Sequence, residues 1–124
     1  MRYITLLTAT STPEGPPPGE LMAAIAKLGE QATQAGVLLD TAGLAPSTAG
    51  ARIELSGGSI SVSDGPFTEA KELVSYAIYQ VASKEEAVEW ASRFVHAHVE
   101  HWPGYECDVQ VLKVFGPEDF GPPA

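Results

Sequence analysis

An α+β fold, one sheet carrying two helices, is the architecture that three features of the chain predict. Apolar residues recur at helical spacing in two separate segments, runs rich in β-branched and apolar residues flank them, and Gly- and Pro-rich stretches punctuate the sequence between them. The elements follow in order. Residues Arg2 to Ala9 (RYITLLTA) have the composition of a strand, which the stiff loop Thr12 to Gly19, with three consecutive prolines, ends. From Glu20 onward Leu21, Ile25, Leu28, Ala32 and Ala35 form one helical stripe, and Gly36 stands where a C-terminal cap glycine stops a helix.

Val37 to Leu44, Arg52 to Leu55 and Ser59 to Ser63 read as three short strands of a β-meander, the last two joined by Gly57-Gly58, a dipeptide suited to a tight hairpin. Asp64-Gly65-Pro66-Phe67 breaks the pattern. Leu73 to Ala82 (LVSYAIYQVA) is then apolar on both alternating sets, as in a central strand covered on two sides. Ser83, with Glu86 three positions on, is a capping-box signature opening a second helix whose stripe is Ala87, Val88, Ala91, Phe94 and Val95, running to about Val99. Cys107 to Phe115 makes the last strand, so that residues 1–115 form one domain. Gly116 to Ala124, a Pro- and Gly-rich tail, is expected to be loose or draped on a partner. This order matches a ferredoxin-like plan with both helices on one sheet face. The other face is left bare, and a homodimer that packs two sheets together is the simplest way to bury it.

Sixteen acidic against seven basic side chains give a formal charge of −9, which opposes the counterion release that drives binding to nucleic acid or anionic lipid. No nucleic-acid or membrane partner is expected. The first ten residues carry one basic group and no signal-peptide cleavage pattern, and the lone Cys107 has no internal disulfide partner, so a reducing, cytoplasmic setting is expected.

The segment Val62 to Tyr79 (VSDGPFTEAKELVSYAIY) closely resembles the YCII-related family carrying the Asp-Gly-Pro-Phe tetrapeptide, in the pattern V-x-DGPF-x-E-x-K-E-x-[LIV]-x-G-[FY]. The opening strand, Ala35-Gly36-Val37-Leu38 leading into Gly43-Leu44, the stretch Glu85 to Phe94 and the closing strand extend the similarity over most of residues 1–115. The resemblance implies a dimeric α+β barrel, two ferredoxin-like units each with a small pocket between sheet and helices, in a superfamily that includes cofactor-free isomerases, lyases and oxygenases. Some relatives are found joined to or beside transcription sigma factors. Two departures stand out: Ser75 occupies a position where many relatives carry glycine, and the Pro-rich loop replaces a shorter link, altering a pocket wall and a pocket rim respectively.

Asp64 has two readings, a turn carboxylate that hydrogen-bonds backbone amides or a general base pointing into a cavity. Phe67 reads as a core plug or as a wall of a ligand site. Glu69, Lys71 and Glu72 form a local polar stretch, in which the family pattern makes Glu69 and Lys71 candidate substrate contacts. Tyr76 is a candidate substrate contact among several aromatics, including Tyr3, Tyr79, Trp90 and Trp102, that fill the core, the dimer interface or a cavity wall. His98 and His101 are three apart, half of a coordination shell, and no metal or organic cofactor is expected. His98 is the preferred acid–base partner of Asp64 at a pocket edge, and His101 a terminal group. No nucleophile elbow, phosphate loop or dinucleotide fingerprint occurs. Two functions stay open: a cofactor-independent enzyme of lyase or isomerase type using acid–base chemistry on a small organic substrate, or a metabolite-binding or regulatory accessory module without turnover.

Overall fold

The computed structural model describes residues 1–67 and 71–121. Its elements are β1 (Arg2–Ala9), α1 (Gly19–Gln34), β2 (Leu38–Gly43), β3 (Ala51–Ser56), β4 (Ser59–Asp64), β5 (Glu72–Gln80), α2 (Lys84–His101) and β6 (Cys107–Val114), with short 3-10 turns at Ser47–Ala49 and Pro117–Phe120. Four strands form one antiparallel sheet in the order β2-β5-β1-β6. Two helices cross over between strands of this sheet, which gives the ferredoxin-like α+β arrangement.

Along β1 the pleat alternates cleanly. Tyr3, Thr5, Leu7 and Ala9 are buried under the helices, and Tyr79 and Ala77, opposite Tyr3 and Thr5 on β5, share that face. Tyr3, Tyr79, Val81, Ala32, Ala87 and Trp90 make the core cluster, joined from the edge strand by Val111. Ala87, with no exposed surface, and Ala32, at 2%, are small enough to let the helices approach the sheet closely. The reverse face carries Ile4 and Leu6 of β1, Ile78 of β5 and Leu112 of β6, the last 46% exposed; no described element lies across it.

Helix termini follow local chemistry. The Ser83 side chain accepts from the Glu86 amide at 3.2 Å, and the Glu86 carboxylate accepts from Ala82 rather than from Ser83 itself, so the box closes one residue earlier than its usual form. Gly36, at φ 75°, takes the left-handed conformation that ends α1.

The expected meander is not one sheet. β2 pairs with β5 in the main sheet, whereas β3 and β4 pair only with each other, in a separate ribbon turned by Gly57 and Gly58 at φ 58° and 79°. One face of the ribbon holds Ile53 and Leu55 opposite Val62 and Ile60, between 66% and 75% exposed. The described part of the tail begins with the short turn at Pro117–Phe120. Its first residues fold back, with Asp119 accepting from the Gly116 amide at 2.8 Å and from Lys113 at 3.0 Å, and Phe120 packed on Phe115. Among the described residues no helix is long and apolar enough to cross a membrane.

Candidate functional site

A cavity of about 520 Å³ opens between α1, the end of α2 and the helix-facing side of the sheet. Its floor is Thr5 and Leu7 of β1 with Ser75 and Ala77 of β5. Leu21, Ile25 and Leu28 of α1 form one wall, and Phe94, His98, Trp102 and Tyr105 another. Pro17 brings the Pro-rich loop to the rim. At this level the floor is shallow on the β2 side: β5 carries the short Ser75, which pairs with Gly43, a residue without a side chain, and on its other side with Leu7. No Asp, Glu, Lys or Arg side chain belongs to the lining among the described residues.

His98 is the one histidine in that lining, and it is 7% exposed. Its Nδ1 lies 2.9 Å from the Phe94 carbonyl oxygen. A carbonyl only accepts, so Nδ1 carries the proton and the neutral ring has its lone pair on Nε2. The ring stands edge-on to Phe94 at 4.8 Å and is stacked on Tyr105 at 5.6 Å, while Tyr105 is stacked in turn on Trp102 at 4.1 Å with the planes 4° apart. These four rings form a column that holds the imidazole in one orientation. Among the described residues Nε2 has no hydrogen-bond partner and no side-chain nitrogen cut off from solvent lacks one, so Nε2 keeps accessible surface, on a side chain that lines this cavity. Burial raises the hydroxyl pKa of Tyr79, and burial with the nearby Cys107 raises that of Tyr105, so both phenols stay protonated donors at neutral pH.

The Asp-Gly-Pro-Phe segment lies elsewhere. Asp64 is exposed at the end of β4 and outside the cavity lining, so the structure does not bring it to His98. Its neighbours tie the ribbon to the domain. The Gly65 amide donates to the Gly50 carbonyl at 3.0 Å, and the Phe67 amide donates to Ser47 Oγ at 3.2 Å. Ser47, 8% exposed, donates its hydroxyl hydrogen bond to Glu72 Oε1 at 2.7 Å. A Cβ at Gly65 would overlap the Ser47 backbone, which is why glycine stands there. Phe67 is half-buried under the Arg52 guanidinium at 4.3 Å, not a plug of the main core. Glu72, the last residue of the local polar stretch, accepts from the Ser47 amide and hydroxyl.

Lys71 is exposed at the start of β5, and Glu69 lies outside the described residues. Tyr76 borders the cavity from β5, but its side chain is on the reverse face, where its hydroxyl donates to Asp40 at 2.8 Å; that bond raises its pKa. His101 is half-exposed, 4.0 Å from Glu20 and 3.7 Å from Glu100, and does not face the cavity. No group of three His, Cys, Asp or Glu side chains converges among the described residues as a metal would require. A smaller space of about 360 Å³ lies between α2 and β6, with His96 and Cys107 on its wall. Sequence reasoning missed Tyr105 and Ser47. A tyrosine after Pro-Gly carries no mark of stacking on a histidine seven residues earlier, and a lone loop serine carries no mark of its partners.

Fold and cavity together define a ferredoxin-like α+β domain with a ligand-sized chamber between helices and sheet. The chain belongs to the YCII-related domain family, whose model matches residues 1–106. A search of curated proteins finds no match. The matched stretch includes the Asp-Gly-Pro-Phe segment and His98 but stops before β6, which the fold nevertheless places at the sheet edge.

Proposed function

We propose that this YCII-related protein binds a small organic molecule in the chamber under α1, with His98 Nε2 as its polar anchor. The observation that carries the reading is a buried imidazole whose Nδ1–H is committed to Phe94 and whose other nitrogen meets a cavity within the ~300–1,000 Å³ range of ligand sites. Anchoring requires no metal or organic cofactor. Such a nitrogen also accepts a proton, so one-base isomerisation or elimination is the second reading, favoured by the fixed tautomer. It proceeds without Asp64, which is exposed and away from the cavity. The protomer acts in a homodimer that covers the reverse sheet face, where Ile4, Leu6, Ile78 and Leu112 otherwise meet water.

The test is a fragment screen by ligand-observed NMR on the native protein and on Ser75→Leu, which fills the chamber from the strand side. Fragments should bind the native protein and lose binding in the variant. Binding that ignores the filling places the site elsewhere, and no binding at all removes the proposal.

A further inference from the structure

Resting on that reading of the chamber, we infer that its ligand is uncharged and offers a hydrogen-bond donor, a hydroxyl or phenol, to His98 Nε2. Three observations converge. The first is the absence of any charged side chain from the lining among the described residues. An anion or cation entering this space would shed its hydration shell without an opposite charge to replace it, the costliest way to bury a polar group. A carboxylate, phosphate or ammonium ligand is disfavoured on this ground alone.

The second is the tautomer. With Nδ1–H held by the Phe94 carbonyl at 2.9 Å, Nε2 presents a lone pair, so the group that meets it must donate. A ketone, ether or carboxylate oxygen would set lone pair against lone pair, whereas an O–H completes the imidazole. The third is the make-up of the remaining wall. Leu7, Leu21, Ile25, Leu28 and Phe94 are apolar, and the polar groups besides His98, among them the hydroxyls of Thr5, Ser75, Tyr79 and Tyr105, are all uncharged. A ligand with an apolar body of about two rings and one terminal hydroxyl satisfies every one of these surfaces.

The experiment compares three probes of one shape by isothermal titration at pH 8: 2-naphthol, a donor; 2-methoxynaphthalene, which lacks the donor; and 2-naphthoate, which is charged. We expect 2-naphthol to bind about five- to tenfold more tightly than the methyl ether, the worth of one hydrogen bond to an otherwise unpaired buried nitrogen, and more tightly still than the carboxylate. In His98→Phe, which keeps an aromatic ring in the column and removes Nε2, 2-naphthol should fall to the affinity of the ether while the ether is unchanged. Naphthoate binding as well as naphthol overturns the inference and leaves the chamber standing. Equal affinity of naphthol and its ether overturns the donor role. If none of the three binds, the binding chamber itself is refuted and the inference with it. Should His98→Phe fail to fold, the ranking of the three probes on the native protein decides alone.

Discussion

Replacing Gly65 by alanine sets a methyl group against the backbone of Ser47, where no side-chain rotation relieves the overlap, because the obstructing atoms are a carbonyl group and the amide that follows it. The segment has to move away, and the movement breaks the bonds that converge there. They are the Gly65 amide to Gly50 at 3.0 Å, the Phe67 amide to Ser47 at 3.2 Å and, once Ser47 is displaced, its hydroxyl to Glu72 at 2.7 Å. Two neutral bonds at about 1 kcal/mol each and one bond to a carboxylate at about 2 kcal/mol give a loss of about 4 kcal/mol. That is a large share of the roughly 5–15 kcal/mol available to a domain of this size. With a urea slope near 1.5 kcal/mol per molar, the midpoint of Gly65→Ala should drop by about 2 to 3 M. Asp64→Asn, next door but exposed, should change stability by less than about 1 kcal/mol. Equilibrium urea unfolding followed by circular dichroism measures both. A Gly65→Ala loss under about 1 kcal/mol would show that the ribbon is not pinned through Ser47. An Asp64→Asn loss as large as that of Gly65→Ala would show that the carboxylate, and not the glycine, holds the segment.

Other perturbations reach other parts of the molecule. Leu21, 1% exposed, faces the cavity from α1, so Leu21→Ala should cost about 3 kcal/mol in the same unfolding experiment, since the void merges with space already present. Cys107 has its pKa raised by burial and then by the neighbouring Asp108, so iodoacetamide at pH 8 should alkylate it more slowly than a free thiol, the two rates converging in urea. Asp119 has its pKa lowered by the Gly116 amide and by Lys113. A depressed carboxylate contributes stability that is present above its unfolded pKa and lost as pH falls through the lower native value. The Phe115–Phe120 contact, followed by nuclear Overhauser effects, should therefore persist through the ordinary carboxylate range and vanish only below it.

Much of this fold was legible because its signals are local. The stripe of Leu21, Ile25, Leu28 and Ala32 marks a helix whatever it packs on, and Ser83 with Glu86 marks where the second begins. Strand partners are not local. The alternation in Ile53, Leu55, Ile60 and Val62 announces two strands but does not say whether they join the main sheet, and they do not. The site followed the same divide. His98 stands near a helix end where an imidazole at a pocket edge was expected, and it faces the chamber. In Asp-Gly-Pro-Phe the carboxylate before a turn reads equally as turn chemistry or as a general base. In space it is the glycine's lack of a side chain and the Phe67 amide that are used, and neither is visible without Ser47, which approaches from a distant stretch of chain.

The pinned ribbon has an evolutionary consequence. β2 and β5 are neighbours in the sheet, so the chain leaves at Gly43 and returns at Glu72 beside the point of departure, and the Ser47–Glu72 bond closes the neck of the excursion. Whatever lies beyond that neck can lengthen, shorten or change its apolar face without disturbing strand register or the chamber floor, because closing a longer loop adds little entropic cost. The exposed ribbon and the chamber are thereby placed on separately mutable parts of one small domain, free to diverge at different rates.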